Sequence, residues 1–154
     1  MSLINFKNIK QLSENYRKKN LKLVFTNGCF DLLHKGHLDL LYKAASFGDK
    51  LLVGLNSDSS VKKIKGESRP IDKELIRAKK LLNLKYVNHV IIFEDLTPKK
   101  LIHLVNPDIL VKGGDYIESE IVGAEHVISK GGNVKIVPLT PGFSTTSIIR
   151  NSSI

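Results

Sequence analysis

Short, continuously apolar runs that alternate with amphipathic stretches predict a doubly wound α/β domain on a five-stranded parallel sheet. Two further observations point the same way. Polar, glycine-bearing clusters follow the first, fourth and fifth of these runs, where such sheets bind ligands past their strand ends. At 154 residues the chain suits one domain with a real core and is too short for two ordinary ones. The expectation is a single Rossmann-like domain spanning residues 1–154, with no internal repeat or linker.

In chain order, Ile9, Leu12 and Tyr16 recur at helical spacing, so residues 8–19 read as a helix packed on one side. The first strand is Leu21–Thr26, broken at Asn27-Gly28. A helix from Gly36 turns Leu38, Leu41 and Ala45 inward and stops at Gly48. The second strand, Lys50–Leu55, runs into the polar turn Asn56-Ser57-Asp58. The basic segment VKKIKGESRP, punctuated by Gly66 and Pro70, reads as a loop. The helix Asp72–Leu84 presents Leu75, Ala78, Leu81 and Leu82 on one face, and the third strand is His89–Phe93. Thr97-Pro98 reads as an N-cap with proline at the first helical position, opening a short helix to Val105. The fourth strand, Ile109–Val111, enters a second glycine turn, Lys112-Gly113-Gly114-Asp115-Tyr116. A helix over Glu118–Lys130, a fifth strand Val134–Leu139 and a tail helix opened by Ser144 or Thr145 complete the chain.

Composition narrows the class. Apolar residues are 42% and charged residues 25%, ordinary for a globular protein, and no apolar run nears the roughly 20 residues needed to cross a membrane. No signal peptide precedes the first helix, and the single cysteine, Cys29, rules out an internal disulfide. A cytoplasmic protein is the expectation. The net charge of +9 suggests anionic partners, yet its lysines are dispersed over several helices, as on solvated helix faces.

The stretch VFTNGCFDLLHKGH, residues 24–37, carries the chemistry. A strand, a glycine turn and a helix start form an anion site, because the first helical N–H groups lack internal partners and carry partial positive charge. His34 and His37, three apart, share one face of that helical turn. Such a pair is often structural, but here it converges with Gly28 and Gly36. His89, His103 and His126 fall in elements away from this mouth, and Cys29 reads as a small turn residue. Lys62, Lys63 and Arg69 suit either a solvated face or a phosphate clamp, and Asp31 either orients the histidine turn or forms it.

FDLLHKGH resembles the HxGH signature of the cytidylyltransferase-like nucleotidyltransferases, which join a phosphate ester to the α-phosphate of a nucleoside triphosphate and release pyrophosphate. Over about residues 20–150, GLNSD, KGESRP, VKGGDY, EIVGAEHV and STTSII are together similar to the adenylyltransferase domain of bacterial ADP-heptose synthesis. VKGGDY with STTSII is the more specific part. The resemblance implies transfer of AMP from ATP to D-glycero-β-D-manno-heptose 1-phosphate, with Mg²⁺ bridging the phosphates. It makes His34, His37 and Lys112 catalytic. Thr26, Asn27, Gly28, Phe30, Gly36, Gly114, Asp115, Ser144, Thr145 and Thr146 would face the nucleotide, and Asn56, Asp58 and Lys65 the sugar phosphate. A homo-oligomer, a dimer, is a further expectation.

Two departures stand out. The sugar kinase fused to many relatives is not in this sequence, so a separate kinase is expected to supply the 1-phosphate. Leu96 also replaces an acidic residue usual before Thr97-Pro98. A cytidylyltransferase acting on glycerol 3-phosphate or a similar alcohol phosphate is the alternative that HxGH does not separate. A nucleic-acid-binding module is disfavoured by 6% aromatic content and the lack of an RNA-recognition signature, so neither nucleic acid nor membrane is an expected partner.

Overall fold

Six strands, not five, form one parallel sheet among the described residues of the computed structural model, which are 2–114 and 116–139. Asp115, Ser144, Thr145, Thr146 and the expected tail helix lie outside them. The strands are β1 (Ser2–Ile4), β2 (Leu23–Gly28), β3 (Lys50–Asn56), β4 (His89–Phe93), β5 (Ile109–Gly113) and β6 (Asn133–Val137). Their order is β1-β4-β3-β2-β5-β6. Three residues are too few for apolar periodicity to register, and β1 exists because Ser2, Leu3 and Ile4 pair with His89, Val90 and Ile91 of β4.

Six α-helices connect the described strands: α1 (Phe6–Lys18), α2 (Lys35–Ser46), α3 (Asp58–Lys65), α4 (Glu74–Leu82), α5 (Lys99–Val105) and α6 (Ala124–Ser129). The sheet is covered on both faces, as a parallel sheet must be. One core packs Phe25, Leu52, Ile91 and Leu110 against Ile9 of α1, Ile102 of α5 and Val127 of α6. The other packs Val24, Val53, Val90 and Val111 against Leu41 and Ala44 of α2 and Leu81 of α4.

Three expectations require correction. The first half of the segment read as a basic loop is the end of α3, which is capped by Ser57, whose Oγ accepts the Ser60 N–H at 3.2 Å. Its lysines masked the helix because only Val61 and Ser60 turn inward. The helix expected over Glu118–Lys130 breaks into a 3₁₀ turn, Glu118–Glu120, and α6, because Gly123 has φ +86° beside Ile102. Thr97 supplies no cap to α5. Pro98 occupies the cap position and no side chain bonds there. The inward faces also rotate: Leu38 and Leu75 are exposed, and Leu41, Ala44, Ala78 and Leu81 are buried.

Arg77 explains the second rotation. It lies on the buried stripe of α4 with Ala78 and Leu81 and is fully buried. Its Nε donates to Asp72 O at 2.9 Å, and Nη1 donates to Cys29 O and Asn56 O at 2.8 Å each. Nη2 donates to Asp58 Oδ1 at 2.8 Å. One guanidinium thus joins the turn after β2, the end of β3, the start of α3 and the segment before α4. Its charge is tolerable in the interior because those acceptors replace water.

His89 ties the far edge. Its Nδ1 meets Ser2 Oγ at 2.9 Å and its Nε2 meets the Tyr16 hydroxyl at 2.6 Å, joining β1 and α1 to β4. Burial, with Lys50 adding repulsion, pushes the imidazole down to about 4.

Arg77→Ala is expected to cost about 3–5 kcal/mol in urea unfolding, because it strands Asp58 and three carbonyls. Arg77→Lys should recover only a minority of that loss. A cost below about 1 kcal/mol for the alanine variant would show that the hub is dispensable. A second outcome concerns acid. Because the folded His89 lies below the ordinary value of 6.5, its contribution is complete above pH 6.5 and is lost as pH falls through about 4. Unfolding free energies measured across that window should therefore fall, and His89→Gln should flatten the slope by up to about one proton.

Candidate active site

The crevice lies where β2 and β5 part. Val24 and Phe25 pair with Ile109 and Leu110, and the ladder goes no further although both strands continue. This is also where the chain order reverses, since β3 and β4 build out on one side of β2 and β6 on the other. The Thr26 hydroxyl donates to Val111 O at 2.9 Å just beyond the last pair. Thr26 is almost fully buried, so its hydroxyl is committed to holding the two strands together.

Beyond Gly28 the chain turns sharply. A Cβ at Gly28 would lie 2.9 Å from the Phe30 ring, so only glycine permits that ring to fold back over the strand end. Phe30 and Leu32 both adopt left-handed backbone, at φ +46° and +55°. Asp31 between them is 1% exposed and anchors the turn. Its carboxylate accepts the Arg69 Nε–H at 3.0 Å, the Ile71 N–H at 2.8 Å and the Asp72 N–H at 3.0 Å. Burial alone would raise this carboxyl. The N–H groups of Asp72 and Ile71 and the Arg69 guanidinium outweigh it and hold it below the usual carboxylate range.

The turn delivers His34 as the N-cap of α2. Its Nδ1 accepts the Gly36 N–H at 3.1 Å and the His37 N–H at 3.4 Å. His37 reciprocates, its Nδ1 accepting the His34 N–H at 3.4 Å. This is a capping box with imidazoles in place of the usual hydroxyl and carboxamide. It corrects the expectation of bare helical N–H groups, because the N–H groups of Gly36 and His37 are spent on His34. What the helix start offers a ligand is imidazole instead. An Nδ1 that accepts N–H cannot itself carry a proton, so each neutral ring has its proton on Nε2. Neutrality is enforced. Burial, then His34 and Lys65, push His37 down to about 4, and burial lowers His34. The rings stack with centroids 3.7 Å apart, and Phe30 meets His37 edge-on at 5.3 Å.

Cations gather on the same side. Burial pushes the Cys29 thiol up, while Lys65, Arg77 and Arg69 pull against it, which locates all three charges around this turn. A protonated thiol is no nucleophile. Lys65, at the end of α3, lies close enough for its charge to act on His37 as well. Asn56 and Asp58 lie beside this turn and bond to Arg77. The Asn56 carbonyl and the Asp58 carboxylate both accept from Arg77.

On the other side of the crevice, a cavity of about 220 Å³ is lined by Asn27, Lys112, Tyr116 and the 3₁₀ turn. Lys112 Nζ lies 5.1 Å over the Tyr116 ring. Gly114, at φ +123°, lets that ring approach within 2.9 Å of where its Cβ would be. The sequence-predicted residues thus form two groups, His34, His37, Phe30 and Lys65 on one flank and Asn27, Lys112 and Gly114 on the other. Sequence reasoning missed Arg77 and Tyr116 and left Asp31 and Arg69 undecided. The available signal was an arginine in register with Ala78 and Leu81, on an otherwise apolar stripe.

Comparison with known proteins agrees with this geometry. The profile of the cytidylyltransferase-like family matches residues 25–151. The bifunctional protein HldE of Koribacter versatilis is 53% identical over 139 residues, covering 90% of this chain and 29% of that protein. The chain therefore spans less than a third of the length of this curated relative. A lipopolysaccharide core biosynthesis protein from Thermoplasma volcanium superposes with a TM-score of 0.63 at 29% identity, over 78% of this chain and 97% of that one. A pantoate-beta-alanine ligase from Francisella tularensis, solved with an ATP analogue and beta-alanine, shares the fold at TM-score 0.65 and 16% identity. That likeness covers 100% of this chain and 73% of the ligase. With the signature histidines capping α2 at the mouth of a parallel sheet and a profile match across most of its length, the chain belongs to the cytidylyltransferase-like family.

Proposed function

We propose that the chain is a nucleotidyltransferase that moves AMP from ATP to D-glycero-β-D-manno-heptose 1-phosphate, forming ADP-heptose and pyrophosphate. The reciprocal cap between His34 and His37 carries this reading, because it fixes two neutral imidazoles as Nε2–H donors at a helix start. The likeness to HldE and to the core biosynthesis protein favours the sugar phosphate over an alcohol phosphate.

In this reading a phosphate oxygen of the acceptor attacks the α-phosphorus of ATP, and the bond from that phosphorus to the β-phosphate oxygen breaks. No covalent enzyme intermediate is needed. The chain's part is positioning and neutralisation of charge that grows on the departing pyrophosphate. The Nε2–H groups of His34 and His37 donate to that oxygen cluster, Lys112 brings a point charge from the facing strand end, and Lys65 faces the incoming phosphate. Donors held neutral suit this task, since they need no proton transfer and no change of charge during the step. Mg²⁺ belongs to the substrate here. It would arrive bound to the nucleotide's phosphates, where it would neutralise part of their charge. A homodimer and a cytoplasmic setting complete the proposal. Among the described residues no helix is long and apolar enough to cross a membrane.

Pyrophosphate release should be fastest with ATP and the heptose 1-phosphate when ATP, CTP, GTP and UTP are each paired with sugar 1-phosphates and glycerol 3-phosphate. Faster turnover of CTP with glycerol 3-phosphate would reject the substrates but keep the reaction class. His34→Asn separates cap from catalysis, since asparagine is itself a good N-cap but has no group where Nε2–H sits. It should change unfolding free energy by less than about 1 kcal/mol and lower turnover roughly a hundredfold, more than it weakens ATP binding. His37→Ala should lose at least as much rate. Near-normal turnover in both variants would reduce the pair to a structural cap.

A further inference from the structure

The opposite edge of the sheet carries a second polar cleft with no part in the reaction above. It lies where β2, β5 and β6 begin, about 17 Å from the mouth along a five-residue strand. Two cavities of about 290 and 240 Å³ adjoin there, sharing Arg17, Asn106 and Lys130.

The charge is one-sided in the larger cavity. Arg17, Lys22 and Lys130 line it against a single carboxylate, Asp108, whose Oδ2 already accepts the Leu23 N–H at 2.8 Å. Arg17 is held in place by its Nη2 donating to Asn106 O at 2.9 Å. Asn106 adopts left-handed backbone at φ +49°, turning the chain between α5 and β5. The smaller cavity adds His103 and His126, stacked with centroids 4.0 Å apart. Three buried side-chain polar atoms lack a partner among the described residues, and two of them, Asn106 Oδ1 and His126 Nε2, belong to residues of this cleft. Buried groups left in that state cost stability, so a guest that reached them would recover part of that cost.

We propose that this cleft is a second ligand site, for a small phosphate monoester bearing hydroxyl groups. The phosphate meets Arg17, Lys22 and Lys130, in the fork and point-charge arrangement that suits phosphate oxygens. A phosphate's oxygens alone do not satisfy Asn106 Oδ1, which accepts and cannot donate. A neighbouring hydroxyl does both, donating to Asn106 and pairing with His126 once Arg17 swings from its carbonyl onto the phosphate. The adjoining cavities, about 290 and 240 Å³, have room for a ligand of that size.

The test uses the full chain and reads the imidazole resonances of His103 and His126, assigned from single His→Gln variants, so turnover is not involved. Inorganic phosphate and glucose 6-phosphate are the probes. Both should shift the two resonances saturably below about 10 mM, with the sugar phosphate at least fivefold tighter. Arg17→Ala and, separately, Lys130→Ala should weaken each probe at least tenfold, while His34→Asn leaves the response unchanged. Absence of a saturable shift, equal affinity for the two probes, or unaltered affinity in both cation variants would overturn the proposal. None of these outcomes bears on the adenylyl transfer reading.

Discussion

One buried guanidinium organises the working end of this protein. Arg77 reaches from α4 into the space beneath the turn after β2, the end of β3 with the start of α3, and the segment before α4. It accommodates the Cys29 and Asn56 carbonyls at the ends of β2 and β3, the Asp58 carboxylate that starts α3, and the Asp72 carbonyl. A strand's terminal carbonyl normally finds water or a following turn. Here those ends are sealed under helices, and a fork of five donors is the one side chain that satisfies several acceptors at once.

The second buried cation works outward from that hub. Arg69 and the N–H groups of Ile71 and Asp72 converge on Asp31, so the segment after α3 and the turn after β2 become one rigid unit. That rigidity supports two left-handed non-glycine residues in a row of three, Phe30 and Leu32, and aims the chain into α2 with His34 at the cap. The histidines are thus placed by a shell of hydrogen bonds two layers deep. The outer layer consists of arginines that never approach the reacting phosphates in the proposed mechanism.

Electrostatics at the mouth follow from that arrangement. Burial drives both imidazoles toward neutrality, and His34 and Lys65 push His37 further, so His37 stays an N–H donor through the physiological range. In the proposed mechanism the positive charge is then carried by Lys112, which lines the cavity beside β5, and by Lys65, whose charge acts on His37. The net charge of +9 is consequently a poor guide to function by itself, because the charges that bear on the site are few and specifically held.

Local sequence determined more of this protein than its length would suggest. His89–Phe93 is a strand in chain pattern and in space, and so, within two residues at either end, are the other four expected strands. HxxH at the start of a helix was legible because a three-residue spacing acts within one turn. Tertiary structure decided what depends on partners distant in the chain. β1 has no periodicity of its own and exists through pairing 87 residues away with β4. α3 was hidden because its lysines face solvent and one side only is buried. The contacts of the Thr26 hydroxyl with Val111 and of the Asn56 backbone carbonyl and Asp58 carboxylate with Arg77 were likewise set by residues distant in the chain. Helix and strand periods are properties of neighbouring residues, whereas the partner of a buried polar atom is chosen only when the layers close.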